Sequence, residues 1–156
     1  IYNRKFFLKT LEVEVGYIKK YGYKSSVMLI KPKESTIREI GSKGKLALLK
    51  NISRMLLRTS RRSDVLAYYG GGGFAMLMKH TDIESAKKAC ERITDMFYET
   101  SFMLKGEKFE FDMEVVASDL NTDKTVTELL SAILDMLART GRDAEHYMVL
   151  EDGGEK

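Results

Sequence analysis

Hydrophobic residues recur along this chain at two spacings, and segments with one spacing alternate with segments that have the other. A spacing of three to four residues is typical of amphipathic helices. It predicts four of them, over residues 3–21, 46–58, 81–101 and 125–141. Thr81 with Glu84 has the spacing of a capping box at the start of the third helix. Thr125 with Glu128 repeats this signal at the start of the fourth.

Short apolar runs between the helices predict strands. They cover residues 27–30, 65–69, 74–78, 109–117 and 147–150. The first run is apolar at every position, and Pro32 is expected to end it. Residues 41–45 contain only glycine, serine and lysine, so we predict a polar connection there. The order of elements after the first helix is therefore βαββαβ, followed by αβ.

This order favours an α+β fold with a ferredoxin-like βαββαβ core, added helices and a further strand at the end. We predict one central antiparallel or mixed sheet with the helices packed on one of its faces. No internal repeat or linker is visible, so residues 1–150 are predicted to form one domain and residues 151–156 a disordered tail. The chain begins at Ile1 rather than Met, and we expect it to be a fragment of a longer protein.

Composition narrows the class of protein without naming a function. The 156 residues are 44% hydrophobic and 31% charged, which is typical of a globular domain with its own core. A net charge of +3 is compatible with an anionic ligand but does not select one. Cys90 is the single cysteine, which excludes an internal disulfide and suits a reducing compartment. It lies on the apolar face of the third predicted helix, so we expect a small buried side chain.

Four consecutive glycines, at positions 70–73, lie between two of the predicted strands and predict a hairpin turn, because such turns need residues that tolerate positive φ. The run from Ala67 to Leu77 around them resembles the signature hairpin of the GGDEF family, the diguanylate cyclases. Residues 2–4 resemble the start of the family's first helix, and residues 140–143 resemble its closing motif. These pieces occur in the family's order and at its distances, so the resemblance covers most of the chain.

The resemblance also implies that catalysis has been lost. Active members of the family hold two divalent cations with an aspartate after the first core strand and with the acidic third letter of the signature. Lys31 and Gly72 stand at those two positions, and Gly73 replaces a glutamate that assists catalysis. No residue of the segment 33–45 aligns with the family's guanine-reading residues. Phosphoryl transfer from a nucleoside triphosphate depends on metal, so we expect no divalent metal, no cofactor and no enzymatic activity.

A second motif of the family is retained. Many members carry an inhibitory site for their product, cyclic di-GMP, with an arginine and an aspartate in the pattern RxxD five residues before the signature. Arg61 and Asp64 fit that pattern and spacing, and Arg92 stands where such sites have a further arginine. Arg62 is either an added phosphate contact or an exposed residue. An arginine pairs with the O6 and N7 edge of guanine or with a phosphate, and an aspartate accepts from N1 and N2.

Taken alone, each of these charged residues would be interpreted as a solvated side chain, with Arg61, Arg62 and Asp64 at the entrance to a strand and Arg92 on an exposed helix face. Their combined spacing from Gly70 favours a binding site. His80 and His146 are predicted to be surface residues rather than metal ligands, since no further ligand stands at metal spacing.

We expect a catalytically inactive GGDEF domain that binds cyclic di-GMP, as a single molecule or a stacked dimer, and relays the signal to attached domains or partners. Control of exopolysaccharide secretion or motility fits such a receptor by analogy.

The alternative is a dimerisation or protein-interaction domain that binds no nucleotide. Nucleic-acid binding is disfavoured, because RNA-recognition motifs need exposed aromatic residues on the central strands and residues 27–30 offer none.

No apolar run approaches the ~18–20 residues of a membrane span, so we expect no membrane contact by this segment. We expect a cytoplasmic domain, free or part of a membrane-anchored protein, and a homodimer or a domain that contacts others in its own chain.

Overall fold

A mixed five-stranded sheet forms the centre of the molecule. The structure, a computed structural model, describes residues 1–71, 73–121, 123–140 and 147–150. The helices are α1 (Arg4–Tyr21), α2 (Glu34–Thr59), α3 (Ile83–Tyr98) and α4 (Val126–Thr140). The strands are β1 (Ser26–Pro32), β2 (Val65–Gly70), β3 (Gly73–Met78), β4 (Ser101–Leu104), β5 (Glu107–Glu110), β6 (Met113–Asp119) and β7 (Tyr147–Leu150).

The strand order in the large sheet is β2-β3-β1-β6-β7, and β4 with β5 forms a separate hairpin. The pairs β2–β3, β3–β1 and β1–β6 are antiparallel, whereas β6 and β7 are parallel. This is the order of a ferredoxin-like core with one strand added at the β6 edge, so the predicted α+β class is confirmed. Gly141, the closing-motif residues 141–143, His146 and the tail 151–156 lie outside the described residues.

Helices cover both faces of the sheet, so the prediction that they pack on one face is wrong. Met28 and Ile30 pack with residues of α2 and α3. Val27 and Leu29 point to the other face and pack with residues of α1 and α4. The physical reason lies in β1 itself. A central strand that is apolar at every position places hydrophobic side chains on both faces of the sheet, and both must then be covered.

The second helix is longer than predicted, because the expected polar connection at residues 41–45 is helical. The helix runs through a kink at Gly41, which has a φ of 71°. Ile40 and Gly44 are buried on the helix's inner side, and a Cβ at Gly44 would lie 2.7 Å from Leu104 Cδ2 of the β4–β5 hairpin. Polar residues between these contacts conceal the apolar period in the sequence. The close packing of the β4–β5 hairpin against Gly44 thus accounts for the additional helical turns of α2.

The predicted strand 109–117 is divided into β5 and β6. The break falls at Phe111, whose ring is buried against Phe97 and Phe102 with centroids 5.5 and 5.4 Å apart. Next to it, the carbonyl of Asp112 accepts from Lys33 N at 2.7 Å. These contacts turn the chain from the hairpin into the sheet.

The helix starts are specified locally, and one of the two predicted capping boxes is confirmed. The Thr125 backbone N–H donates to Glu128 Oε1 at 2.9 Å, and the Glu128 N–H donates to Thr125 Oγ1 at 3.1 Å. At the start of α3 the cap is Asp82 rather than Thr81, because the Asp82 carboxylate accepts from the Ser85 N–H at 2.8 Å. In the described part of the chain, no helix combines the length and apolar character that crossing a membrane requires.

Candidate functional site

The turn between α2 and β2 positions Arg61 and Asp64. α2 ends at Thr59, and the chain then closes a short turn in which the Asp64 N–H donates to the Arg61 carbonyl at 3.0 Å. Asp64 Oδ2 accepts from the backbone N–H of Arg61 at 2.8 Å, and its Oδ1 lies 3.1 Å from Arg61 Nη2. The carboxylate is 6% exposed and the Arg61 side chain 55% exposed. The turn therefore fixes the acid and leaves the guanidinium accessible.

Arg61 also reaches across to the turn between β3 and α3. Its Nη2 donates to Thr81 Oγ1 at 2.6 Å and to the Lys79 carbonyl at 3.3 Å. Thr81 Oγ1 in turn donates to the Lys79 carbonyl at 3.0 Å. One guanidinium thus connects the turn before β2 with the turn after β3, which are the open ends of the same hairpin.

A cavity of about 330 Å³ lies between these turns and α3. Arg61, Asp64 and Arg92 all line it, so the structure brings together three of the four sequence-predicted site residues. Arg62 does not line it. It lines a neighbouring cavity of about 270 Å³, together with Tyr2 and Leu57, and Arg61 and Asp64 border both cavities.

The same cavity contains residues that the sequence analysis missed, namely Lys88, Ser85, His80 and Thr81. Lys88 precedes Arg92 by four residues on α3, and this spacing places the two on one helix face, so the sequence did contain a signal for it. His80 was correctly expected at the surface, and it is exposed. Its place at the cavity depends on the turn after β3, for which no sequence pattern was available.

The charges of the cavity favour an anion. Its lining includes three cationic side chains, Arg61, Lys88 and Arg92, against one carboxylate, Asp64. A concave site with an excess of one sign concentrates ligands of the opposite sign. The guanidinium groups add directed donors that pair with planar or tetrahedral oxyanions.

The glycine turn lies at the other end of the β2–β3 hairpin. Gly70 and Gly71 have φ values of 95° and 60°, and Gly70 is paired with Gly73, so the predicted hairpin is confirmed. Gly72 lies outside the described residues. A Cβ at Gly73 would lie 3.7 Å from Lys31 Cβ, which places Lys31 directly beside the turn.

Glu114 of β6 is the cross-strand partner of Lys31 and is 4% exposed. Burial raises the pKa of Glu114, while Lys31 and Lys33 act in the opposite direction. Among the described residues, no three His, Cys, Asp or Glu side chains are grouped as metal ligands would be.

Comparison with known proteins identifies the family to which this fold and cavity belong. A diguanylate cyclase A of Treponema denticola is 26% identical over 100 residues, which are 62% of this chain and 27% of that protein. The chain thus spans about a quarter of the length of the curated relative it matches.

Two solved structures show the same fold. The GGDEF domain of YfiN from Pseudomonas aeruginosa has a TM-score of 0.86 at 19% identity, over 96% of each chain. The GGDEF domain of DgcB from Caulobacter crescentus, solved in complex with c-di-GMP, has a TM-score of 0.85 at 13% identity, over 97% of this chain and 89% of that one.

The family described as "Diguanylate cyclase, GGDEF domain" matches residues 1–146, which is nearly the whole chain. This match agrees with the sheet order, with the hairpin that the four glycines close and with the fold of the solved structures. The chain belongs to the GGDEF family.

Proposed function

We propose that this chain is a catalytically inactive GGDEF domain that binds cyclic di-GMP in the cavity formed by Arg61, Asp64 and Arg92. The observation that carries the proposal is the convergence of these three side chains, two from one turn and one from α3, on one cavity. The ligand carries two phosphodiester charges and two guanine bases. The cavity offers Lys88 and Arg92 for the phosphates, and Arg61 with the Asp64 carboxylate for the edges of a guanine base.

Binding would reorganise Arg61 but not Asp64. The Asp64 carboxylate accepts from a backbone N–H and is almost fully buried, so its position is set before a ligand arrives. The exposed Arg61 guanidinium can leave part of its present hydrogen-bond set for guanine or phosphate oxygens. Arg92 and Lys88, one helical turn apart, would hold the phosphates. A stacked pair of ligand molecules or a single molecule would use the same residues.

The environment of the glycine turn supports the proposed lack of catalysis. An ammonium group at Lys31, where the family places a metal-binding aspartate, repels divalent cations. Gly72 and Gly73 are glycines and so carry no carboxylate that could bind a metal ion or assist catalysis. DgcB, which shares this fold, was solved in complex with c-di-GMP, and the ligand is therefore compatible with the architecture. We place the proposed receptor in the cytoplasm, with the signal passing to attached domains or partners.

Titration calorimetry with cyclic di-GMP tests the binding. We expect a dissociation constant in the micromolar range or below, and Arg61→Ala should weaken binding by about tenfold to a hundredfold, because it removes charge-assisted hydrogen bonds. Arg54→Ala is the matched control, since Arg54 is an exposed arginine of α2 outside the cavity lining. Absence of heat with the wild-type chain, or equal affinity of the Arg61 and Arg54 variants, would contradict the proposal.

An activity assay tests the second half of the proposal. The chain is incubated with GTP and either Mg²⁺ or Mn²⁺, beside an active diguanylate cyclase, and the products are separated by chromatography. We expect no cyclic di-GMP from this chain. Product formation above a no-enzyme control would show that the residues at Lys31 and Gly73 do not prevent metal-dependent chemistry.

A protein-interaction role is the second candidate, and exposed aromatic residues on α1 and just before it favour it. Tyr2 and Phe6 stack with centroids 4.2 Å apart, and Tyr17 and Tyr21 lie 6.1 Å apart; all four are exposed. If this were the whole function, no guanine nucleotide would stabilise the fold. A bound ligand at a hundredfold excess over its dissociation constant adds about 2.7 kcal/mol, which a melting curve detects readily.

A further inference from the structure

His80 lies at the rim of the cavity in a backbone conformation that side chains rarely adopt. Its φ is 53°, and among the described residues only Lys105 is another non-glycine residue with positive φ. Such conformations cost energy and persist only where the surroundings hold them, which is often at a functional site. In His80 the conformation places an exposed imidazole beside Thr81 and the other residues that line the cavity.

One face of this imidazole is supported by an aromatic ring. His80 and Tyr23 stack with centroids 4.1 Å apart and an interplanar angle of 25°. Tyr23 stands between α1 and β1 and is only partly exposed. A near-parallel stack of this kind limits the rotation of the imidazole and presents it as a flat surface.

A buried carboxylate holds this pair in place. Ser25 Oγ accepts from the His80 backbone N–H at 3.0 Å and donates to Glu14 Oε2 at 2.6 Å. Burial raises the pKa of Tyr23, and its hydrogen bond with Glu14 adds to the effect. Glu14 is 3% exposed, and burying a carboxylate is costly unless hydrogen bonds compensate it. One buried acid therefore orders both the backbone of His80 and the ring beneath it.

The same turn holds the guanidinium that would bind the ligand. Arg61 Nη2 donates to the Lys79 carbonyl and to Thr81 Oγ1, the residues on either side of His80. A base whose edge is bound by Arg61 would consequently lie next to the imidazole.

We infer that His80, supported by Tyr23, is a ligand-binding residue of the cavity and forms the surface on which a purine base of the ligand stacks. The inference rests on the proposed function. Glu14 and Ser25 are positioning residues for this surface. Stacking of a base on an aromatic residue contributes enough that its removal weakens binding by about tenfold to a hundredfold.

The experiment uses cyclic di-GMP and two variants that tolerate the unusual backbone, His80→Asn and His80→Gly. Calorimetry should give a tenfold or greater loss of affinity for both, and Tyr23→Leu should give a smaller loss. Arg61→Ala serves as the control for the site itself, and circular dichroism confirms that each variant is folded.

A second readout separates stacking from a merely structural role. The chain has two histidines, so its imidazole proton signals form two sets, and His80→Asn identifies the set of His80. Stacking of a purine should move the His80 ring protons upfield when cyclic di-GMP is added.

Unchanged affinity of the His80 variants, with Arg61→Ala still impaired, would overturn the inference alone. A loss of affinity without a shift of the ring protons would also overturn it. Absence of binding by the wild-type chain would remove the proposed function and the inference with it.

Discussion

The β2–β3 hairpin has a different site at each end. At its open end, Arg61 joins the turn before β2 to the turn after β3 through contacts with Asp64, Lys79 and Thr81. At its closed end are glycines, and an added Cβ at Gly70 or Gly71 would meet no described atom within 4 Å. The turns at the open end carry charged side chains that bond to one another, whereas the turn at the closed end consists of glycines, with Lys31 of β1 beside it. The strands between them keep a regular register up to the bulge near Tyr68.

Under the proposed function, the closed end is the site that has lost its chemistry and the open end is the site that has kept it. The core strands are fixed by packing on both faces of the sheet, which does not depend on the chemistry of either turn. Substitutions in the glycine turn should therefore leave the cavity intact, and substitutions in the cavity should leave the glycine turn intact.

The largest effect that we predict concerns Cys90, a buried residue of α3 that directly follows the cavity-lining Ala89. The thiol is fully buried, and burial raises its pKa from 9.0 to about 12. Because the thiolate is the reactive form, this shift alone lowers its reactivity at pH 8 about a thousandfold. Labelling with a thiol reagent should be slow in the folded chain and fast in urea. Cyclic di-GMP should slow it further, and rapid labelling of the native chain would indicate that the cavity end of the molecule opens readily.

Replacement of Asp64 should have the next largest effect. Asp64→Ala removes a carboxylate that accepts from the Arg61 backbone and holds its guanidinium, so both the turn and the ligand contact are lost. We expect affinity for cyclic di-GMP to fall about tenfold to a hundredfold, and the free energy of unfolding to fall by about 1–3 kcal/mol. Asp95→Ala, at an exposed position of α3, is the matched control. Equal behaviour of the two variants in calorimetry and urea unfolding would refute this role.

The third prediction concerns Glu114, the cross-strand partner of Lys31 on β6. Burial raises its pKa in the folded chain above the ordinary value of 4.5. The folded state then binds a proton more tightly than the unfolded state, so stability should decrease as the pH rises through the range just above 4.5. Glu114→Gln should flatten this part of the profile, whereas Glu107→Gln, at an exposed position, should not. Urea unfolding between pH 4 and pH 7 measures the free energy of unfolding at each pH. An equal pH dependence of this free energy in both variants would exclude the effect.

The sequence predicted the parts of the fold that depend on local patterns. The Thr125–Glu128 capping box and the glycine hairpin are both present as expected. The continuous apolar run of β1 is the sequence signal for its burial on both faces of the sheet. The long α2 was not predictable, because the burial of Ile40 and Gly44 depends on the distant β4–β5 hairpin.

The candidate site divides in the same way. Arg61, Asp64 and Arg92 were predicted because the resemblance to the family's RxxD site implies residues of these types at these distances from the glycines, and Lys88 could have been found from its distance of four residues to Arg92. His80 could not have been found, because its position follows from a left-handed backbone and from a stack on a residue 57 positions away in sequence, as 80 minus 23 gives. Spacing identifies residues on one element, whereas contacts between turns become visible only in the structure.

The smallest predicted effect tests the independence of the two ends directly. Gly73 has no positive φ, and an added Cβ would make ordinary contacts of 3.5–3.8 Å, so Gly73→Ala should stabilise the fold by about 0.4–1 kcal/mol by restricting the unfolded chain. Gly71 has a φ of +60°, and Gly71→Ala should destabilise it because alanine is strained there. Urea unfolding measures both, and calorimetry with cyclic di-GMP should give the wild-type affinity for each. A change in affinity in either variant would mean that the glycine turn and the cavity are coupled through the hairpin, and that the turn still has a part in binding.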